Sequence, residues 1–286
     1  MPAMATVAFL GTGLMGAALA EAAAKRGEKV SAGNRTAAKA HALAAFGVRG
    51  ADTVADAVRG AERIHIMLTD DAAVDPVLDA AGDALKTALV IDHSTTSPAG
   101  TAARAKRLEE RGVAFLHSPV FMPPKMCREA GGMMLAAGPQ ATFARAEPAL
   151  KAMTGKLEYL GERRDLAAAN KLFGNAMLIA ICGGLADVYS MATSLGIDAK
   201  DAHALFGKFN PAGVVTYRGA AMASGDYAPT FELTMARKDV RLMIEVAKGK
   251  ELAALPGIAR RMDDLIARGF GGDDMGVLAV DAVPKR

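Results

Sequence analysis

The sequence predicts an α/β fold: a doubly wound parallel sheet in the N-terminal part and an all-helical domain after it. Three observations predict this. Short apolar runs alternate with helical stretches up to about residue 160. The first run ends in a glycine-rich turn that opens directly into an Ala-rich helix. From about 163 onward the texture is helical, starting with a long apolar stretch over about 165–195. The 286 residues suffice for about two domains, and the change of texture divides them into 1–162 and 163–286.

The first strand, Thr6 to Leu10, stops at Gly11. Gly11-Thr12-Gly13-Leu14-Met15-Gly16 then forms a GxGxxG. An Ala-rich helix runs to Gly27, and a second strand, Glu28 to Ala32, meets Asn34-Arg35-Thr36. Alone, the glycines read as an ordinary turn; the strand–turn–helix–strand setting makes them a dinucleotide fingerprint. Gly11 permits the tight turn, Gly13 admits a pyrophosphate close to the backbone, and Gly16 lets helix and strand approach. The helix N-terminus offers free N–H groups and its positive dipole end to phosphate. This is a Rossmann arrangement. The second strand ends without the acid that would bind a ribose 2′-hydroxyl. A carboxylate would repel a 2′-phosphate, whereas a guanidinium binds it, so the cofactor expected is NADP(H), with Asn34, Arg35 and Thr36 around the 2′-phosphate.

The other elements follow in order. Residues 36–46 read as a helix and Arg63 to Leu68 as a strand. Thr69-Asp70-Asp71 breaks that strand and caps a helix over about 72–86. Ala88 to Asp92 is a buried strand leading into His93-Ser94-Thr95-Thr96-Ser97-Pro98, where Ser97 before Pro98 signals a helix N-cap. A charged helix reaches Gly112, and Val113 to Leu116 and Met133 to Ala137 are further strands of the sheet. Ligands of such sheets lie beyond the carboxyl ends of the strands, so Leu68, Thr69, Ser94 and Thr95 are candidates for the nicotinamide half. In the helical part Asp198 caps a helix, Pro211, Gly213 and Gly225 punctuate, and helices are expected over 231–247 and 256–268.

Composition excludes several classes. With 51% hydrophobic and 23% charged residues the chain builds a large core and is not disordered. A net charge of +3, with basic residues scattered, gives no footprint for nucleic acid. Cys127 and Cys182 offer neither metal-ligand spacing nor a redox pair, so no metal is expected and a reducing compartment fits. The small-residue-rich N-terminus lacks a charged n-region and contains the glycine turn, so it reads as strand and helix rather than as a signal peptide. The apolar run Ala176 to Ala186 is too short to span a bilayer. A soluble cytoplasmic protein without a membrane partner is expected.

Lys171 is the main candidate for chemistry. On a helix it shares a face with Asn175 at i, i+4, and Gly174 leaves room beside it. A lysine on so apolar a stripe is desolvated, which disfavours its charge and suits it to give a proton to a carbonyl oxygen. The bland reading is a lysine that snorkels to water.

The stretches FLGTGLMG at 9–16, DHSTTSP at 92–98, the Lys171/Asn175 pair and FELTMARKD at 231–239 resemble the β-hydroxyacid dehydrogenase family, as does RGFGGDD at 268–274. The family includes 3-hydroxyisobutyrate dehydrogenase, tartronate semialdehyde reductase and glyoxylate/succinic semialdehyde reductases. The resemblance covers nearly the whole chain. It implies that Lys171 is the proton donor or acceptor and Asn175 a substrate contact. It also implies that Thr95 touches the cofactor near the nicotinamide and that Lys238 borders the cofactor and substrate. Phe231 reads as core.

One departure from the family pattern bears on substrate. The family's Ser-Gly-Gly turn, which grips a carboxylate, is replaced by Phe121-Met122-Pro123. Phe121 and Met122 therefore stand on the substrate side, and Pro123 has no N–H to donate. Lys125, Arg128 and His117 either rebind a carboxylate from other angles or are ordinary loop residues. His65 reads as packing. The expectation is an NADPH-dependent reductase of a small-molecule carbonyl substrate (semialdehyde, keto acid or hydroxy acid). The alternatives are an imine reductase of the related two-domain group and a non-catalytic dinucleotide sensor. The long apolar helix predicts a homodimer or homotetramer.

Overall fold

The computed structural model describes residues 5–283. The chain separates into two compact units, 1–175 and 176–286.

In the first unit six strands form a parallel sheet. They are β1 (Thr6–Leu10), β2 (Lys29–Gly33), β3 (Arg49–Ala51), β4 (Arg63–Ile66), β5 (Leu89–Asp92) and β6 (Ala114–His117). Their spatial order is β3-β2-β1-β4-β5-β6, the order of a dinucleotide-binding doubly wound sheet. Strands buried on both faces read as unbroken apolar runs, and β1 shows why. Its Val7 and Phe9 join one core with Leu19, Ile91 and Leu116, while Ala8 and Leu10 face the other with Ile64, Ile66 and Phe115. The crossover helices are α1 (Leu14–Lys25), α2 (Ala37–His41), α3 (Val54–Val58), α4 (Asp71–Ala81) and α5 (Pro98–Glu110). Asp70 and Ser97 cap α4 and α5 as their sequence positions predict, accepting from Ala73 N and Gly100 N.

Three expectations need correction, and two short elements are additional. The helix expected over about 72–86 is α4 followed by a 3-10 turn, Gly82–Thr87. The helix over 36–46 is α2 followed by a 3-10 turn, Ala42–Phe46, that closes at Gly47. Strand β3 and helix α3 were not foreseen, since three and five residues carry too little periodicity to register. The strand near 133–137 does not extend the main sheet. It is β8 (Met133–Ala136), paired antiparallel with β7 (Val120–Phe121) and parallel with β9 (Lys156–Tyr159) in a separate sheet. A parallel neighbour of β6 would need a crossover connection, usually a helix, that packs back across the sheet. The intervening segment holds Pro119, Pro123 and Pro124 and only the five-residue α6 (Pro124–Arg128). The chain therefore turns back, and an antiparallel bridge between His117 and Ala137 joins the two sheets. Helix α7 (Gln140–Lys151) follows β8.

Helix α8 (Leu166–Ser194) spans 29 residues. Its first turns belong to the sheet unit because Ala167 packs on Leu135 and Ala137. This is why the compact units divide at Asn175 and not at 162, where the composition changes. The rest of α8 is continuous with the helical unit, which adds α9 (Ala199–Ala204), α10 (Gly213–Ser224), α11 (Leu233–Val246) and α12 (Leu255–Ala267). Its core is Leu233, Val240, Met262, Leu265 and Val277. Phe231 is exposed and outside this core.

Among the described residues α8 alone is long and apolar enough to cross a membrane by length and composition, so the run judged too short is part of a longer helix. Its buried Asp187 is tied into the protein. The carboxylate accepts the N–H groups of Ala253, Ala254 and Leu255 at 2.6, 3.0 and 2.8 Å and so caps the segment that opens α12.

Candidate active site

The glycine turn has the shape that a dinucleotide requires. Gly11 has φ +96°, and a Cβ there would overlap the Met67 carbonyl oxygen. A Cβ on Gly16 would overlap the Gly11 carbonyl, so the helix can lie this close only with glycine. A Cβ on Gly13 would meet nothing within 4 Å and would project into open space in front of the turn. Leu14 beside it is 82% exposed, and Met15 is half-buried. No side chain caps α1 and no acid stands in its first turn, so its leading N–H groups face outward with the dipole uncompensated. The Thr12 hydroxyl is buried without a hydrogen-bond partner. An uncapped helix end, an orphaned hydroxyl and a space that a Cβ would fill together fit a bound pyrophosphate.

At the end of β2, Asn34 has a holding role. Its Oδ1 accepts from Thr12 N at 3.1 Å and its Nδ2 donates to Thr36 O at 3.1 Å, which joins the two turns. Arg35 and Thr36 are exposed. Arg35 forms no ion pair among the described residues, so its guanidinium is available to a ligand.

The ends of β4 and β5 are fixed from beneath. Ser94 is fully buried and its hydroxyl accepts from Leu68 N at 2.9 Å. It thus positions Leu68 and is not itself presented outward. Thr95 is half-buried and Thr69 exposed. Beneath them lie three buried histidines. His93 Nδ1 donates to Ser118 O at 2.7 Å, so its Nε2 accepts from His65 Nδ1 at 2.9 Å. Burial pushes His65 well below its ordinary pKa and His93 down to about 4, so both are neutral. His65 stacks on Phe9 at 4.8 Å, as a packing residue should. His117 Nε2 donates to Ser94 O at 3.1 Å.

An arginine cluster near this loop was not visible in the sequence. Arg104, on α5, is buried completely. Its Nε reaches Asp75 at 2.8 Å, one terminal nitrogen reaches Asp71 at 2.7 Å, and the other lies 3.7 Å from the fully buried Asp92. Asp71 also accepts Ser97 N at 2.8 Å. In sequence Arg104 sits in a charged helix and reads as solvated; only the sheet topology brings α4, α5 and the end of β5 together.

Lys171 is 9% exposed. Its Nζ donates to Asn175 Oδ1 at 3.0 Å and stands 4.0 Å from the centre of the Phe121 ring. Burial lowers its pKa below the ordinary lysine value. The snorkelling alternative is thereby set aside. Gly174 is needed for a second reason, since a Cβ there would collide with the Phe121 ring. Met122 is buried, Lys125 exposed. Arg128 and His117 do not offer themselves to an anion. Arg128 pairs with Glu21 of α1 at 2.7 Å, and His117 is buried in the hydrogen bond already described. Lys238 lies in the helical unit, where its ammonium pairs with Asp239 at 2.8 Å. Both cysteines are free, and no metal-ligand cluster occurs among the described residues.

The family described as the NAD binding domain of 6-phosphogluconate dehydrogenase matches residues 6–161. The chain is 29% identical to glyoxylate/succinic semialdehyde reductase 1 of Arabidopsis thaliana, covering 96% of each chain. It is 27% identical to 3-hydroxyisobutyrate dehydrogenase of Pseudomonas aeruginosa, covering 93% of each. Its structure superposes on an imine reductase of Streptomyces aurantiacus with a TM-score of 0.90 and 25% identity, over 98% of this chain and 100% of that one.

Proposed function

Because this chain belongs to the β-hydroxyacid dehydrogenase family and is an NAD(P)-dependent oxidoreductase acting on hydroxyl or carbonyl groups, we propose that it is an NADPH-dependent carbonyl reductase with Lys171 as its general acid. The observation that carries this is the desolvated amine, tied to Asn175 and set over Phe121.

NADPH, when bound, supplies the hydride. Gly11, Thr12, Gly13, Leu14, Met15 and Gly16 form its pyrophosphate cradle, and Leu68, Thr69 and Thr95 stand at the strand ends where the nicotinamide half belongs. Ser94 holds that edge in place. Asn175 fixes one hydrogen of the Lys171 ammonium and leaves the others for the substrate oxygen. Lys171 Nζ gives its proton as that oxygen takes up the C=O electron pair, and water reprotonates it. In the direction of oxidation the neutral amine takes the hydroxyl proton. Phe121 lines the substrate side, whereas Met122, expected there too, packs into the core with Val120, Cys127 and Met134.

Steady-state oxidation of NADPH by a panel of aldehydes, ketones, α-keto acids and cyclic imines tests the reading. Turnover of carbonyls supports it. Turnover of imines alone makes the chain an imine reductase, the reading favoured by the likeness to the Streptomyces enzyme. No turnover leaves a dinucleotide sensor.

Arg35→Ala tests the cofactor. Loss of charge-assisted hydrogen bonds to a phosphate costs about 1.5–3 kcal/mol, roughly 10- to 100-fold in affinity. NADPH binding, followed by fluorescence, should weaken by that factor while NADH binding barely changes. Equal losses would reject the 2′-phosphate contact.

We further propose that a second copy of this chain, rather than lipid, covers the outer face of α8. Phe173, Met177 and Ile181 lie exposed along it at helical i, i+4, i+8 spacing, Phe173 by 68%. So large a contiguous apolar face is unusual for a monomer. Light scattering after size exclusion, without detergent, should give the mass of a dimer or tetramer; a 29.5 kDa species would refute this. The free thiols agree with a cytoplasmic setting.

A further inference from the structure

The surroundings of Lys171 also bear on what kind of carbonyl compound suits it. The ammonium rests against the face of the Phe121 ring and donates to the Asn175 amide oxygen. Both are electron-rich surfaces: the ring carries negative potential on its face, and the amide oxygen is an acceptor. They attract the cation and repel a carboxylate brought to the same place. The ring is held there. Phe121 pairs with Met133 in the small sheet, and the missing Cβ of Gly174 provides its seat. In the segment that follows, the exposed Lys125 is the cation left to an anion, and it stands on the outer surface. Met122 is buried, Pro123 and Pro124 have no N–H, and the Arg128 guanidinium is committed to Glu21.

We infer that Phe121 is a specificity-determining residue that selects carbonyl compounds with no negative charge near the reacting carbon. The inference rests on Lys171 being the proton donor. A neutral carbonyl oxygen can accept an ammonium hydrogen between ring and amide, and an apolar or aromatic substituent packs on the exposed part of the ring. A carboxylate two or three bonds away loses its hydration, and the cation it meets, the Lys171 ammonium, is already shared between the ring, the Asn175 amide and the carbonyl oxygen.

The test uses two substrates that differ in charge: methyl 4-oxobutanoate and 4-oxobutanoate, each reduced with NADPH at neutral pH. In the native protein kcat/KM should favour the ester by at least about tenfold. Phe121→Ser, which adds a hydroxyl and removes the ring, should lower that preference by at least about tenfold, chiefly through a lower KM for the acid. Phe121→Leu keeps volume without the ring. It should lower the ester preference, though less than Phe121→Ser does, and move the alkaline fall in reduction rate to lower pH, because the ring no longer favours the charged amine.

A native protein that prefers the acid, or treats both alike, overturns the inference. The function reading survives that result if Lys171→Ala abolishes the turnover. An unchanged preference in Phe121→Ser removes Phe121 from the role. If the chain binds NADPH and reduces neither compound, the inference falls, and the function reading falls with it only where the whole carbonyl panel also gives no turnover.

Discussion

Lys171→Ala should lower kcat for carbonyl reduction by about 10²–10⁴-fold, the range that a positioned general acid supplies, while the affinity for NADPH stays within about twofold. Stopped-flow or steady-state absorbance gives the first quantity and fluorescence titration the second. Lys171→Arg separates charge from proton transfer: a guanidinium keeps the charge but does not release a proton near neutral pH, so it should be nearly as inactive. The pH dependence has a definite sign. Reduction needs the protonated amine, so its rate falls as pH rises through the Lys171 pKa. Oxidation needs the neutral amine and rises through the same pKa. Burial places that pKa below the ordinary lysine value.

Stability should respond in the opposite direction to activity. An amine whose pKa is lower in the folded state makes the fold less stable at pH values where it is charged, and the deficit disappears as pH rises through both pKa values. Lys171→Met should therefore leave Tm unchanged or raise it. A large fall in Tm would mean that the residue serves packing, and the loss of activity would lose its catalytic meaning.

The dinucleotide cradle and the lysine were legible in the sequence for different reasons. The glycines are legible because the GxGxxG spacing is read within one turn of chain, and the structure sets Gly11 against the Met67 carbonyl and Gly16 against the Gly11 carbonyl, where a Cβ has no room, and leaves open space at Gly13. Lys171 and Asn175 are legible because helical spacing alone puts them on one face. The ring over the amine was only half legible. The departure at Phe121 was visible, but its seat on Gly174 depends on packing between a small sheet and a helix some fifty residues away. The second sheet was missed because a strand's own residues do not say which neighbour it pairs with. Prolines 119, 123 and 124 were the available signal, since they leave no room for a crossover helix. Ser94 and Asn34 show another limit: sequence placed them at the right turn, but only the structure shows that their side chains hold the backbone.

Arg104→Met should destabilise the fold by about 3–5 kcal/mol, the cost of leaving buried charge without its partner. The loss would appear in urea unfolding at pH 7 as a lower midpoint with little change in slope. Three carboxylates lose their shared cation, and Asp92 has no exposure to water at all. Burial opposes ionisation of Asp71 and Asp75, but the Ser97 amide and Arg104 at Asp71, and Arg104 with Arg107 at Asp75, outweigh it and lower both pKa values. Groups with depressed folded pKa values stabilise above the unfolded pKa, here 3.8, and that contribution is lost as pH falls through the lower folded values. The gap between native protein and variant should thus be widest near neutrality and narrow below about pH 4. Arg107, half-exposed on the same helix, also reaches Asp75 at 2.8 Å, and its replacement by alanine should cost no more than about 1 kcal/mol. A methionine variant within about 1 kcal/mol of the native protein at pH 7 would show that methionine packing compensates for the lost ion pairs. The strand-end loop from Ser94 to Ser97 would then need another anchor than Arg104, since Asp71 links that guanidinium to the Ser97 amide at the head of α5.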